Sequence, residues 1–161
     1  MDASRLPSLG PRGEGWFAIQ LGLVLAIAIA GIAAGNAWGG VAALVTTIAG
    51  LVLIVAGGVL AVRGLLDLGA GLTPFPKPRD GAALVTHGVY RLARHPVYGG
   101  LVLAGAGYGL LLASPLALGL ALALLGYFDL KSRREEVWLA ERHPGYSAYR
   151  EGTRRLIPGV Y

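Results

Sequence analysis

No cysteine occurs among the 161 residues. That excludes disulfides, thiol nucleophiles and thiolate-bound metals, and leaves the compartment open. Lysine is nearly missing too: of 14 basic residues only Lys77 and Lys131 are Lys, and the other 12 are Arg. The three histidines, His87, His95 and His143, have no close metal-ligand spacing, so no metal is expected. Charge as a whole is scarce, at 14% against 55% hydrophobic residues. It is absent altogether from Gly15 through Val62 and from His95 through Phe128. A soluble domain cannot carry two such stretches on its surface, so the composition belongs to an integral membrane protein.

A net charge of +5 is compatible with nucleic-acid binding, but every charged residue lies outside those two windows. Basic residues gathered at one face of a bilayer follow the positive-inside rule, and topology accounts for them without nucleic acid. The abundance of Arg, Ala, Gly and Leu resembles a GC-rich bacterial gene. The expected location is therefore a bacterial inner membrane, crossed several times, with both termini cytoplasmic.

Along the chain, residues 1–14 form a short irregular lead with Pro7, Gly10, Pro11 and Gly13. Trp16–Gly35 is a first span of 20 residues, with an apolar core too long for a signal peptide. Asn36–Gly40 makes an uncharged turn, and Val41–Val62 is a second span, with Arg63 and Asp67 placed to pair at its rim. Pro74, Pro76 and Pro78 then forbid a helix, predicting a stiff loop that either links the halves or edges a pocket near His95. Ala82–Leu92 reads as a short interfacial helix or turn.

The second uncharged window is longer than one span needs, and Ser114-Pro115 near its middle supplies a turn. The pattern predicts a helical hairpin, Pro96–Ala113 and Pro115–Leu130, with Gly105 and Gly109 at the small-xxx-small spacing that lets helices approach. No breaker follows until Pro144-Gly145, so the last helix continues as a charged rod into the cytoplasm. Lys131 and Glu135 share one of its faces, and Ser132, Glu136 and Leu139 share another. The aromatic and Arg-rich tail, Tyr146–Tyr161, is placed to fold back on the membrane face. The fold class is thus all-α, with four transmembrane helices, a C-terminal hairpin and a projecting cytoplasmic helix. Residues 1–71 hold the first two spans, and 72–161 the region that carries chemistry.

The whole chain is arranged about Gly88–Gly100 (GVYRLARHPVYGG). Pro96 suits the first position of a helix, and a helix starting there aims free N–H groups at the neighbourhood of Arg94 and His95, a site for an anion. Gly99 and Gly100 leave room for a flat ligand beside Tyr98. The plainer alternative is a basic, aromatic anchor at the membrane surface.

Taken together, Arg94-His95-Pro96-Val97-Tyr98-Gly99, a hairpin, Glu135-Glu136 with Leu139, Pro144-Gly145-Tyr146, Tyr149 and Ile157-Pro158 resemble the isoprenylcysteine carboxyl methyltransferase family and its phospholipid methyltransferase relatives. Leu72-Thr73-Pro74-Phe75-Pro76 is similar to the bacterial branch, and the resemblance runs from Leu72 to Tyr161. It implies methyl transfer from S-adenosylmethionine at the membrane surface, to a lipophilic or amphiphilic acceptor drawn from the bilayer. His95, Pro96, Tyr98 and Gly99 match the family's cofactor motif, and Glu135 and Glu136 its acidic pair. Arg94 or Lys131 would orient a carboxylate acceptor, which needs no base. For an amine or thiol acceptor, Glu135 or His95 becomes the candidate base. Lys131 stands where the prenylcysteine enzymes tend to have Arg, replacing a bidentate fork with a point charge. No glycine-rich strand–turn–helix is present, so the site differs from the soluble Rossmann-type one. Two alternatives are an NADPH-dependent reductase similar to the sterol reductases and a non-enzymatic scaffold. The reductases carry an acidic residue where this chain has Gly100, and lack the Glu135-Glu136 pair.

Overall fold

A computed structural model describes residues 6–73, 75, 77 and 81–161, with Ala70 described in its backbone alone. Pro74, Pro76 and Pro78 lie outside the described residues. The described residues form five α-helices: α1 (Glu14–Ala33), α2 (Gly40–Leu68), α3 (Pro96–Leu111), α4 (Pro115–Arg142) and the short α5 (Tyr146–Glu151). No strand occurs among the described residues. The segment Ala82–Leu92, read as an interfacial helix or turn, holds one 3-10 turn, Gly88–Arg91.

α1, α2 and α4 are long and apolar enough to cross a membrane, whereas α3 has 16 residues. At 1.5 Å per residue α3 covers about 24 Å, less than a full hydrocarbon layer. α4 runs unbroken for 28 residues, so the apolar and charged stretches make a single rod, about 42 Å long. Both interhelical turns lie at one end of the bundle. There the Asn36 and Ala37 N–H groups donate to the carbonyls of Leu112 and Ala113 at 2.8 and 2.9 Å. Ser114 caps α4 by accepting the Ala117 N–H at 3.2 Å and donates to the Ala30 carbonyl at 3.0 Å, with Pro115 at the first helical position. The charged segments and the tail gather at the opposite end.

Glycine decides how α2 and α3 meet. Gly50, Gly57 and Gly64 recur every seven residues, close to two helical turns, and so form one stripe. A Cβ on Gly50 would meet Gly107 O at 2.6 Å, one on Gly57 would meet Gly100 O at 2.5 Å, and one on Gly64 would press on Val97 and Pro96. Gly109 packs tightly on Leu118 of α4, as the hairpin reading requires, but Gly105 makes only ordinary contacts with Ile27 and Ala121. α2 and α3 thus meet backbone to backbone, through glycines other than the pair singled out from the sequence.

The opposite face of α2 is bare: Val41, Val45, Ile48, Val52, Val55 and Val59 are all exposed. Exposed apolar side chains at helical spacing along a whole helix match lipid, not water. The protein is a membrane protein. Inside, Phe128, Leu124, Ala121 and Ala117 of α4 pack with Ile27 and Ala30 of α1, Val102 of α3 and Leu156 of the tail.

Candidate active site

The backbone at Arg94-His95 is held by the tail. Ala93 bridges Arg154 in parallel, and the Arg94 and His95 N–H groups donate to the carbonyls of Arg154 and Arg155 at 2.8 and 2.9 Å. His95 stands outside the helical region, at φ −128° and ψ 61°, and Pro96 opens α3. The Tyr98 and Gly99 N–H groups both turn back to the His95 carbonyl at 3.1 Å, so the helix start offers an anion less than its position suggested. Gly99 lies against the Leu156 carbonyl with no space for a Cβ. Pro96 is buried beside Gly64. Both residues seat α3 on its neighbours and neither lines the cavity described below.

Glu136 is a buried hub. Its Oε1 accepts from Arg94 Nε at 2.9 Å and from Arg155 Nε at 3.3 Å, and His95 Nε2 lies 3.4 Å away. Arg94 reaches onward with Nη1 to the carbonyls of Arg150 and Thr153. Arg155 also donates to Asp129 at 2.8 Å, and Asp129 accepts the Tyr161 hydroxyl at 2.7 Å. Two guanidinium groups beside it keep the Glu136 carboxylate ionised, and the network stitches α4, the Arg94 segment and the tail together. Asp67, expected beside Arg63, instead accepts the Val89 N–H at 2.8 Å.

Beside this hub opens a cavity of about 370 Å³. Its polar wall carries Arg94, His95, Tyr98, Lys131 and Glu135; its apolar wall carries Leu65, Leu68, Leu72, Val97 and Leu139. Leu72, Thr73 and Ala82–Val85 close one side, so the ends of the proline-bearing segment edge the pocket. Lys131, Glu135, Leu139 and His143 recur every four residues along the wall, which moves Leu139 from the Glu136 face to the Lys131 face. Glu135 Oε2 accepts the Tyr98 hydroxyl at 2.9 Å and lies 3.7 Å from His95 Nδ1. Tyr98 is sandwiched between His95 and Phe128, with centroids 5.5 and 4.5 Å away and planes within 6°. Lys131 Nζ stands 4.7 Å above the Tyr98 ring.

One buried polar atom of a wall residue, Tyr146 Oη, has no hydrogen-bond partner, whereas His95 Nε2 faces the Glu136 carboxylate 3.4 Å away. Such an unpartnered atom is costly unless a ligand or water meets it. Tyr149 is engaged instead, donating to the Tyr90 carbonyl at 2.7 Å, and burial pushes its phenol up to about 12.

Of the residues singled out from the sequence, the cavity gathers His95, Tyr98, Lys131, Glu135 and Arg94, while Glu136, Pro96 and Gly99 stand behind it. The sequence reading missed Gln20 and Phe17 of α1, and Tyr90. Gln20 carried a usable signal: it is a lone side-chain amide in the first uncharged span, and polar groups at such depth are rarely idle.

Residues 45–144, more than half of the chain, match the phospholipid methyltransferase family. Two curated rice proteins, from Oryza sativa subsp. indica and subsp. japonica, are described as probable protein-S-isoprenylcysteine O-methyltransferases. Each is 38% identical over 63 residues, which cover 38% of this chain. The match spans 33% of each rice protein's length. With that match over more than half of its length, and with helices apolar enough to cross a membrane, the chain belongs to the phospholipid methyltransferase family of membrane methyltransferases.

Proposed function

We propose that the protein transfers a methyl group from S-adenosylmethionine to an amphiphilic acceptor whose reactive end enters the cavity from the membrane. The observation that carries this reading is the two-sided wall: a carboxylate, a histidine, tyrosines and a lysine face five aliphatic side chains across one pocket. The residues suit the cofactor. Unpartnered Tyr146 Oη awaits a polar group, Glu135 suits an ammonium or a ribose hydroxyl, and aromatic faces suit a sulfonium cation. A pocket of this size lies in the range that small-molecule sites occupy.

When bound, the cofactor supplies a methyl group on cationic sulfur, open to in-line attack by the acceptor's lone pair. The chain's task is then mainly to position the two partners. Tyr98 fixes Glu135 through its hydroxyl, and His95 is fixed by its backbone bond to Arg155 and its stack on Tyr98. A carboxylate acceptor needs no base, and Lys131 is the cation available to orient it. Arg94 is a poorer choice, because its Nε and Nη1 are already committed to Glu136 and the tail. An amine or thiol acceptor must lose a proton, to Glu135 or His95. Residues 72–161 carry most of this machinery, with α1 and α2 completing the wall. The site faces the cytoplasm from the inner membrane, where the soluble cofactor is found, with both termini on that side.

The test is direct. Purified protein is incubated with isotope-labelled S-adenosylmethionine and a membrane lipid extract, and products are sought by mass spectrometry. Saturable cofactor binding and a labelled lipid-phase product are expected. Absence of both binding and product would overturn the reading.

A further inference from the structure

Asp129 stands on α4 seven residues before Glu136, about two helical turns away on the same face. It does not line the cavity. Three groups nevertheless converge on its carboxylate. Arg155 Nη1 and the Tyr161 hydroxyl donate to Oδ1 at 2.8 and 2.7 Å, and Arg133 Nε donates to Oδ2 at 2.7 Å. The same Arg155 guanidinium donates from Nε to Glu136 at 3.3 Å, the longer of its two carboxylate bonds. One side chain is therefore pinned to α4 at two points. The Arg155 backbone carbonyl in turn accepts the His95 N–H at 2.9 Å. A path of three links thus runs from Asp129 through the side chain and main chain of Arg155 to His95, whose ring is on the cavity wall. Glu136 cannot serve alone. A single contact leaves a guanidinium free to swing, whereas two contacts from one rigid helix fix the direction of the tail strand as well as its place.

We propose that Asp129 is a positioning residue for His95: by holding Arg155 it fixes the tail strand whose carbonyl sets the His95 backbone, and so keeps the imidazole against Tyr98 and Glu135. The inference rests on the methyltransferase reading for what His95 does, but not for where it stands. Its physical ground is tolerance. The His95 and Tyr98 rings are parallel to within 3°, a fit that a tilt of the backbone would spoil, and a misplacement of about 1 Å costs up to about a hundredfold in rate. Leu156, next to Arg155, is fully buried in the core. The tail therefore stays docked when Asp129 is removed, and what is lost is the setting of the strand.

The test uses the full chain in phosphatidylcholine nanodiscs, as wild type, Asp129→Ala, Asp129→Glu, His95→Ala and the double variant of His95→Ala with Asp129→Ala. Two quantities are measured: hydrogen–deuterium exchange of the peptide holding Arg94 and His95, and affinity for labelled S-adenosylmethionine. Asp129→Ala should speed that exchange and weaken cofactor binding, each by about tenfold, the scale of one charge-assisted hydrogen bond. Asp129→Glu returns a carboxylate and should recover most of both. The double variant should bind the cofactor no more weakly than His95→Ala does. A merely structural role would not give that result, because general loosening weakens binding equally in both backgrounds. Equal weakening would therefore overturn the proposal, as would an Asp129→Ala protein with unchanged exchange or unchanged affinity. Should Asp129→Ala fail to fold, Asp129→Asn, which keeps the shape and removes the charge, carries the same comparison. If the wild type binds no S-adenosylmethionine, yet Asp129→Ala speeds exchange at His95 and Asp129→Glu restores it, the methyltransferase reading fails and the positioning role stands.

Discussion

Gly57 of α2 and Gly100 of α3 face one another with no room for a side chain on either: a Cβ on one would stand 2.5 Å from the carbonyl oxygen of the other. This contact sets how α3 sits, and with it the positions of His95 and Tyr98 at the start of that helix. Gly57→Ala should therefore force the helices apart and destabilise the fold by about 1–3 kcal/mol, as overpacking does. Gly58, beside it, has open space around its Cα. Gly58→Ala should be neutral or stabilising, since Ala is the better helix former. Thermal unfolding of the two variants in one detergent checks the pair; equal melting temperatures would count against the glycine contact.

The adjacent glutamates should fail in different ways. Glu136→Ala leaves Arg94 and Arg155 buried without their carboxylate, a loss of about 3–5 kcal/mol for a broken buried pair. It should lower the melting temperature and loosen the tail, seen as faster proteolysis after Tyr149. Glu135→Ala removes a partly exposed side chain on the cavity wall. It should leave the melting temperature nearly unchanged and cut S-adenosylmethionine affinity by about tenfold or more. Reversed phenotypes would exchange the two assignments.

Tyr98 separates a ring from a hydroxyl. Tyr98→Phe keeps the stack on His95 and Phe128 and deletes the bond to Glu135. One net hydrogen bond is about 0.5–1.5 kcal/mol, so folding should suffer little while turnover falls several-fold. Tyr98→Leu also removes the surface under Lys131 and should cost more in both respects. Turnover and melting temperature measured together decide whether the hydroxyl or the ring matters to catalysis.

The two turns that touch at one end of the bundle should lie on one side of the membrane, and the proposed topology makes that side the periplasm. Reporter fusions ending after Gly39 and after Ser114 should both read periplasmic, and one after Tyr161 cytoplasmic. A cytoplasmic signal from the Ser114 fusion would rule out a full crossing by the short α3.

Much of this architecture was legible in the residues themselves. Two uncharged windows, each with charged residues at both edges, announce membrane helices because no other environment takes so long an apolar surface. Ser114-Pro115 announces the α3–α4 turn because the serine caps and the proline opens a helix. The seven-residue recurrence of Gly50, Gly57 and Gly64 was equally visible, but recurrence does not name the partner helix. Pro96 and Gly99 show the reverse difficulty: a motif can be recognised while the reason for its residues is packing against Gly64 and Leu156.

The site divides in the same way. Residue order alone placed Arg94, His95, Tyr98 and Glu135 near one another at the charged end of two helices, since helical rise and the membrane's thickness leave little freedom along the axis. Rotation about that axis was undetermined. Neighbouring residues on a helix point about 100° apart, so only packed neighbours could decide that Glu135 faces the cavity and Glu136 the arginines, or that Leu139 joins Lys131. Gln20 is the extreme case. It stands 111 residues from Lys131, and nothing local records their meeting; it exists because α1 packs against α4 and brings a lone amide to a buried ammonium.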